Sequence, residues 1–506
     1  MNLLSRRSFI GAGLSSTITG FAMGTGDALA QSIRSKGNIP KIKNILVLFV
    51  DQQRWDCLAC NRNQVVKTPN IDRLAQTGIN FTNCYSPAPV CTPARTCLET
   101  GLWAHNHNNL YNGTYDPTKR FFSESLRDKG WQLAHIGKWH IGSKVTTPEK
   151  RGYDGSVAYY PGYGFPNRHQ HYLAYLKELG VDGFNAPDDQ WNPDDTILKG
   201  DMRLSGLQEG PQEASVPAYL ARQTMDVIDR YTASDNPFFI STNFWGPHRP
   251  YYITEKHYLM YDNADIEPWP NWNEDLSDKP DALRKFSKFH RTEWVTPDKL
   301  SRVIGKYYGY ITLIDEEIGR ILDTLKKTGK YEETLIVFTA DHGSTAGSHR
   351  AWDKGTGMYD CITHIPFIIS HPSIKPRVSD AFVSLIDLAP TFLDLVGQSY
   401  GDMDGRSLMP ILTSDAESVR DNYIVTETFG LYAPYWCRMV RTPTTKYVWS
   451  PVGDDEFYDF TDDPWEMENI HDKMDGKVLK DHIDRMITWM EETRDPMLRV
   501  ARRMLL

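Results

Sequence analysis

Residues 44–52, Asn-Ile-Leu-Val-Leu-Phe-Val-Asp-Gln, and residues 334–343, Thr-Leu-Ile-Val-Phe-Thr-Ala-Asp-His-Gly, decide the fold. Each is a short, nearly continuous apolar run, the pattern of a strand buried on both faces of a parallel sheet, and each stops at polar groups. Two more runs share the design: Gln132-Leu133-Ala134-His135-Ile136 leads into Gly137-Lys138-Trp139-His140, and Pro237-Phe238-Phe239-Ile240-Ser241-Thr242 leads towards Trp245-Gly246-Pro247-His248. The carboxyl ends of parallel strands share one sheet edge, where ligands bind, so these distant segments can converge on one pocket. Helical patterns at 70–76 and 300–327 lie between the runs, and this alternation predicts a doubly wound α/β domain over residues 40–415. Residues 250–295, rich in Trp, Tyr, Pro, Asp and Asn, read as an irregular insertion that walls a cleft or forms a surface loop. Beyond residue 415 come strand-like runs at Tyr423–Glu427 and Arg438–Ser450, then a helical pattern at Val478–Thr493, so residues 416–506 are expected to form a small α+β subdomain.

At 506 residues, with 40% apolar and 24% charged positions, the chain has enough material for a large buried core and is neither disordered nor membrane-embedded in composition. Lys plus Arg number 56 against 65 Asp plus Glu, and no basic stripe is present, which argues against a nucleic-acid partner. Seven cysteines are too few, and an odd number, for a disulfide scaffold. Residues 1–30 carry Arg6-Arg7 before Ser8-Phe9-Ile10, an apolar stretch diluted by Gly, Ser and Thr, and Ala28-Leu29-Ala30. This is the pattern of a twin-arginine signal peptide cleaved after Ala30, too weakly apolar for a stable membrane span. It implies passage through the twin-arginine export machinery to the periplasm or beyond.

Residues 91–101 read Cys-Thr-Pro-Ala-Arg-Thr-Cys-Leu-Glu-Thr-Gly. By itself Cys91 would read as a buried structural thiol. Cys91-x-Pro93-Ala94-Arg95 followed by Leu98, Thr100 and Gly101, however, resembles the signature of the type I, formylglycine-dependent sulfatases. Gly137-Lys138-Trp139-His140-Ile141-Gly142 is similar to the second signature of that family. Its downstream histidine and lysine are matched by His248 in Gly246-Pro247-His248-Arg249-Pro250 and Lys354 in Trp352-Asp353-Lys354-Gly355. Residues 457–466 resemble its C-terminal Tyr-Asp segment, so the resemblance runs from about residue 40 to 475, towards the arylsulfatase and choline-sulfatase-like branch.

The resemblance implies an alkaline-phosphatase-like fold, with a large mixed, mostly parallel sheet flanked by helices. It also implies a sulfuric ester hydrolase that uses 3-oxoalanine (formylglycine), made from Cys91 by a maturation enzyme. The hydrated aldehyde is a geminal diol: one hydroxyl attacks sulfur, and deprotonation of the other expels sulfate, a covalent mechanism with a built-in exit. Arg95 would neutralise the oxyanion and orient the loop. Lys138 would hold the nucleophile and a sulfate oxygen, His140 would take the proton that triggers elimination, and His248 and Lys354 would bind sulfate and protonate the leaving alcohol.

One divalent ion is implied at Asp51, Gln52, Cys91, Asp341 and His342. Many family members carry Asp in place of Gln52 and Asn in place of His342, whereas the choline-sulfatase-like and phosphonate-hydrolase-like branches share the Gln and His. The loss of a carboxylate and the gain of an imidazole suit manganese better than calcium. Calcium still stands first by resemblance, with manganese or magnesium behind it. The expected reaction is hydrolysis of sulfate monoesters, with a phosphonate monoester or phosphate diester hydrolase as the alternative. A catalytically dead binder of sulfated glycans is disfavoured by the intact Cys91, Arg95, Lys138, His140 and Lys354. Aromatic residues in loops 150–210 and 250–295 suit a sugar ring, an aryl group or a quaternary amine alike. Cys57-x-x-Cys60 reads as paired or buried thiols rather than a redox centre, and His105 and His107 either touch substrate or lie on a solvated loop.

Overall fold

The computed structural model describes residues 42–112, 118–142, 146–160, 169–183, 197–198, 202–290, 295–354, 356–431 and 434–506. The expected export signal at 1–30 and part of the expected loop at 150–210 lie outside the described residues. Residues 40–506 form one compact unit.

The chain builds eight strands into one sheet: β1 (Asn44–Val50), β2 (Gly78–Tyr85), β3 (Gln132–Lys138), β4 (Val157–Tyr160), β5 (Phe238–Asn243), β6 (Thr334–Ala340), β7 (Phe367–Ser370) and β8 (Arg377–Ser384). Their order across the sheet is β8-β2-β7-β6-β1-β5-β3-β4. The four runs that the sequence singles out are the central neighbours β6, β1, β5 and β3, all parallel. Only β7 runs against its neighbours. Every residue of β1 and β6 is buried, as an apolar run covered on both faces requires. Register then positions the chemistry: Val50 pairs with Ala340, Phe49 with Asn243, and Gly137 with Asn243. Asp51, Asp341 and Lys138 therefore emerge at one sheet edge.

The main helices are α1 (Pro69–Thr77), α2 (Cys91–Thr100), α3 (Val216–Thr232), α4 (Asp281–His290), α5 (Pro297–Lys327) and α6 (Gly476–Thr493), with further short helices between and after them. The long α5 begins at Thr296, whose hydroxyl accepts from the Lys299 amide at 3.4 Å, with Pro297 in its first turn. Where the sequence reads as irregular, residues 250–295 contain a strand (Tyr251–Thr254), a short helix (Glu255–Leu259) and α4. The helical spacing of the buried Leu283, Phe286 and His290 is masked in the sequence by the surrounding Lys, Arg and Asp.

The C-terminal sheet is antiparallel: β9 (Ile424–Gly430), β10 (Pro434–Arg441), β11 (Thr445–Trp449) and β12 (Glu456–Asp459). The run expected at Arg438–Ser450 is thus two strands. Pro443 cannot donate to a ladder, and the chain turns there with the Thr442 amide on the Thr445 carbonyl at 2.9 Å. The terminal helix α6 is capped by the Asp475 carboxylate on the Lys477 and Val478 amides at 2.8 and 3.3 Å.

Candidate active site

Cys91 is the first residue of α2, so its sulfur lies at the positive end of the helix. It is fully buried, 3.2 Å from His342 Nε2 and 3.7 Å from Lys138 Nζ. Burial and Asp51 both push the thiol up, but Lys138, Lys354 and His342 outweigh them and bring it down to about 6. His342 Nδ1 donates to the Gly343 carbonyl at 2.8 Å, which turns Nε2 towards the sulfur.

Arg95, one turn along α2, is the hub. Its Nε donates to Asp341 Oδ2 at 3.0 Å, Nη2 to Asp51 Oδ2 at 2.9 Å, and Nη1 to the Lys138 carbonyl at 2.9 Å. Asp51 Oδ2 also accepts from Lys138 Nζ at 2.6 Å. Burial alone would raise the Asp51 carboxyl, yet Lys138 and Arg95 hold it well below the usual carboxylate range. Lys138 is aimed by the end of β3: Gly137 has φ +92°, and a Cβ there would lie 2.1 Å from the Asn243 carbonyl oxygen, so only glycine fits.

The polar atoms left over mark a candidate cation site. Asp51 Oδ1 and Gln52 Oε1 are buried and have no hydrogen-bond partner among the described residues. Gln52 Nε2 donates to Ser344 Oγ at 3.1 Å, which leaves its carbonyl end as the free acceptor. Ligand atoms of Asp51, Cys91, Asp341 and His342 lie within 4.8 Å of one another. Two unmet oxygens, two carboxylates and an oriented imidazole suit a divalent ion that takes oxygen and nitrogen donors.

A second group stands beside Cys91. Lys354 Nζ donates to His248 Nε2 at 2.9 Å and lies 3.2 Å from Asp353 Oδ1, while Asp353 Oδ2 accepts from Arg249 Nη2 at 2.7 Å. His248 Nδ1 donates to the Arg249 carbonyl at 2.5 Å. His140, at φ +51°, has its carbonyl held by the Thr92 hydroxyl at 2.7 Å. Burial first, and then the neighbouring lysines, hold both His140 and His248 well below the usual imidazole range, so both are neutral at pH 7.

Not every sequence expectation lands here. His105 bonds to Glu427 Oε2 and the Thr493 carbonyl, and His107 Nε2 faces Cys97 Sγ at 3.3 Å; both side chains are tied into other contacts and neither is on a solvated loop. Cys57 and Cys60 are unpaired, with burial raising both thiols. His105, Glu427 and Asp495 also cluster as donors, but the Arg438 guanidinium occupies that space, 2.6 Å from Asp495 Oδ2 and 3.4 Å from Glu427 Oε2. Sequence reasoning missed Asn243, Ser344, Arg54 and Tyr307. Asn243 Oδ1 accepts from Arg95 Nη1 at 3.4 Å, and Tyr307 OH donates to the Gln52 carbonyl at 2.8 Å. Arg54 ties the Ser344 and Thr345 carbonyls to the first strand end. Asn243 was within reach of sequence reasoning, since it is another polar residue at the end of an apolar run.

The family model described as "Sulfatase" matches residues 43–398. This chain belongs to the sulfatase family. A second model, "N-sulphoglucosamine sulphohydrolase, C-terminal", matches residues 347–493 of this sulfatase. The sulfatase is 27% identical over 476 residues to an arylsulfatase of Clostridium perfringens, covering 89% of this chain and 95% of the relative. It is 26% identical over 518 residues to an N-acetylglucosamine-6-O-sulfatase of Bacteroides thetaiotaomicron, covering 92% and 89%. Among solved structures, a phosphonate monoester hydrolase from Silicibacter pomeroyi superposes with a TM-score of 0.75 at 25% identity, covering 90% of this chain and 96% of the other. The fold of the sulfatase is alkaline-phosphatase-like, and its reaction class is sulfuric ester hydrolysis.

Proposed function

We propose that this sulfatase hydrolyses sulfate monoesters of carbohydrates, with Cys91 converted to formylglycine beside one divalent ion. The observation that carries the reading is the position of Cys91 Sγ, 3.2 Å from the oriented His342 Nε2 and 3.7 Å from Lys138 Nζ, beside the unmet Asp51 and Gln52 oxygens. When present, the hydrated aldehyde supplies a nucleophile that can later expel sulfate, and the ion lowers its pKa and neutralises charge. Asp51, Gln52, Asp341 and His342 would hold the ion, with calcium first and manganese or magnesium next.

Lys138 and Arg95 supply fixed positive charge where an anionic ester must dock, with no reorganisation of water. The neutral imidazole of His140 is suited to accept a proton during release of sulfate. Lys354 Nζ, already donating to His248 Nε2, is suited to protonate the departing alcohol oxygen. Complete burial of Lys138, His140 and His248 within about 1% exposure keeps competing water from these groups. The carbohydrate assignment is supported by the N-acetylglucosamine-6-O-sulfatase relative. The maturation enzyme acting on Cys91, and twin-arginine export to the periplasm or beyond, belong to the same proposal. Among the described residues no helix is long and apolar enough to cross a membrane.

The mass of the tryptic peptide spanning Cys91, in protein matured with its partner enzyme, should be that of the aldehyde. Cys91→Ala should lower turnover by at least ~10⁴-fold, with the thermal midpoint nearly unchanged. An active enzyme with an intact thiol there would end the proposal. A second reading, phosphonate monoester hydrolysis, is favoured by the superposition with the Silicibacter enzyme and by Gln52 and His342. Parallel assays on aryl sulfate and aryl phosphonate separate the two, and much faster phosphonate turnover would reverse their order.

A further inference from the structure

Two segments meet beside Cys91: residues 244–250, which follow β5 and carry His248, and residues 343–354, which follow β6 and carry Lys354. They are tied at two consecutive positions on each side. Lys354 Nζ donates to His248 Nε2 at 2.9 Å, and at the neighbouring position of each segment Asp353 Oδ2 accepts from Arg249 Nη2 at 2.7 Å. The other carboxylate oxygen, Asp353 Oδ1, accepts from the Lys354 amide at 2.9 Å and lies 3.2 Å from Lys354 Nζ. One buried carboxylate thus holds the Lys354 backbone, the Lys354 ammonium and the opposite segment at once.

Asp353 is itself held in place. Its φ is +87°, a conformation that favours glycine, and its carbonyl accepts from both the amide and the hydroxyl of Thr345, at 2.7 and 2.8 Å. Such a backbone persists only where its surroundings impose it. Asp353, Lys354 and Arg249 are at most 7% exposed, so water screens their charges little. The direction of the His248 bond follows as well: Nδ1 gives its proton to the Arg249 carbonyl at 2.5 Å and the imidazole is neutral, so Nε2 accepts and Lys354 donates. The Lys354 charge also reaches the reacting centre, where it helps to bring down the Cys91 thiol and the His140 imidazole. Lys138 and Arg95 already fill that centre with positive charge, so a further buried cation needs a counter-charge in contact with it.

We propose that Asp353 is the positioning residue of the leaving-group acid: it holds the Lys354 ammonium in register with His248, and so sets how basic an alcohol the enzyme can expel. The inference rests on the sulfate-ester reading of the Cys91 site. In that reaction the nucleophile at position 91 bonds to sulfur, the ester S–O bond breaks with its electron pair on the alcohol oxygen, and Nζ supplies the proton, becoming an amine that water reprotonates. A nitrophenolate departs without that proton, whereas a sugar alkoxide does not. Asp353 thus fits the site to sulfates of alcohols and sugars, beyond activated aryl sulfates.

Three probes test it with the full, matured enzyme: 4-nitrophenyl sulfate, 4-methoxyphenyl sulfate and N-acetylglucosamine 6-sulfate. Asp353→Asn keeps the shape and an acceptor oxygen but removes the charge. Its kcat/KM should fall about 100-fold on the sugar sulfate, by an intermediate factor on the methoxyphenyl ester, and by less than about threefold on the nitrophenyl ester. Arg249→Gln, which leaves Asp353 charged but releases it from the opposite segment, should give the same graded pattern with a loss of about tenfold on the sugar sulfate, and it carries the test if Asp353→Asn does not fold. Equal losses on all probes, or wild-type values on the sugar sulfate, overturn the inference. A wild-type enzyme confined to 4-nitrophenyl sulfate overturns it too while leaving the sulfate-ester reading intact, and failure on every sulfate defeats that reading first.

Discussion

Ser344 illustrates how much of this site depends on a residue that touches no reacting atom. Its hydroxyl accepts from Gln52 Nε2 at 3.1 Å, and in that orientation Gln52 turns its oxygen, not its nitrogen, towards the candidate cation site. A carboxylate in place of Gln52 would need no such partner, because both of its ends are acceptors. Glutamine, unlike a carboxylate, therefore relies on Ser344 for the orientation of its amide. Ser344→Ala should weaken divalent-ion binding roughly 10–100-fold, read by titration calorimetry or by metal retained after dialysis. A second change, Gln52→Asp, should make the same Ser344→Ala substitution nearly silent. Unchanged affinity in the single variant would show that Gln52 is held by its own backbone, where Tyr307 already fixes the carbonyl.

Helix α2 shows a sequence poor in helix formers made helical by its surroundings. All ten residues are buried, and the hydroxyls of Thr96 and Thr100 turn back onto the carbonyls of Thr92 and Thr96 at 2.7 Å each. Cys91, Arg95 and Glu99 follow at four-residue steps, so one stripe runs from the Cys91 side chain into the core. Glu99 meets Tyr153 OH at 2.7 Å, and burial raises its carboxyl to about 8. The folded state thus keeps this proton after the unfolded chain has lost it, so stability falls as pH climbs from the ordinary 4.5 to about 8 and then levels. Glu99→Gln should flatten that fall, seen as a smaller decline in thermal midpoint across the window; parallel profiles would mean the carboxylate is compensated. The strands and their polar ends Asp51, Asp341 and His342 were readable in sequence because apolar period and strand-end polarity are local properties, and Cys91 was found through its resemblance to a family signature. Ser344, Tyr307 and Arg54 were not, because their contacts span about 250 to 290 positions and leave no local pattern. Helix α4 was hidden for a different reason: its apolar stripe is interleaved with charge.

Across the whole molecule, the C-terminal sheet is what holds α2 against the strand ends. The Glu427 amide donates to the Pro87 carbonyl at 3.0 Å and the Thr426 hydroxyl to the Ser86 carbonyl at 3.1 Å, just ahead of Cys91. Past the other end of α2, His105 is wedged between Glu427 Oε2 at 2.8 Å and the Thr493 carbonyl at 3.2 Å. Both partners accept only, so both ring nitrogens must carry protons. Burial opposes the charge, but Glu427 and then Asp495 outweigh burial and the nearby Arg438, and the imidazole is raised above its ordinary value. Three other groups feel it: His107, pushed down chiefly by burial and partly by His105; Asp404, raised by burial and eased by His105; and Asp495, where Arg438 first and then His105 outweigh burial and hold the carboxyl down. A raised histidine gives stability that is complete below the ordinary value of about 6.5 and is lost as pH rises through the raised one. The thermal midpoint of the wild type should therefore fall on going from about pH 6 to about pH 9 by more than that of His105→Gln. Arg438→Met, which strands Glu427 and Asp495 without their shared cation, should cost about 3–5 kcal/mol at any pH in that range. Hydrogen exchange localises the effect: protection should drop first in β9 and the 101–107 turn, ahead of the central strands. If the two pH profiles coincide, or if the central sheet loosens first, His105 is a neutral filler and the clamp is Arg438 alone.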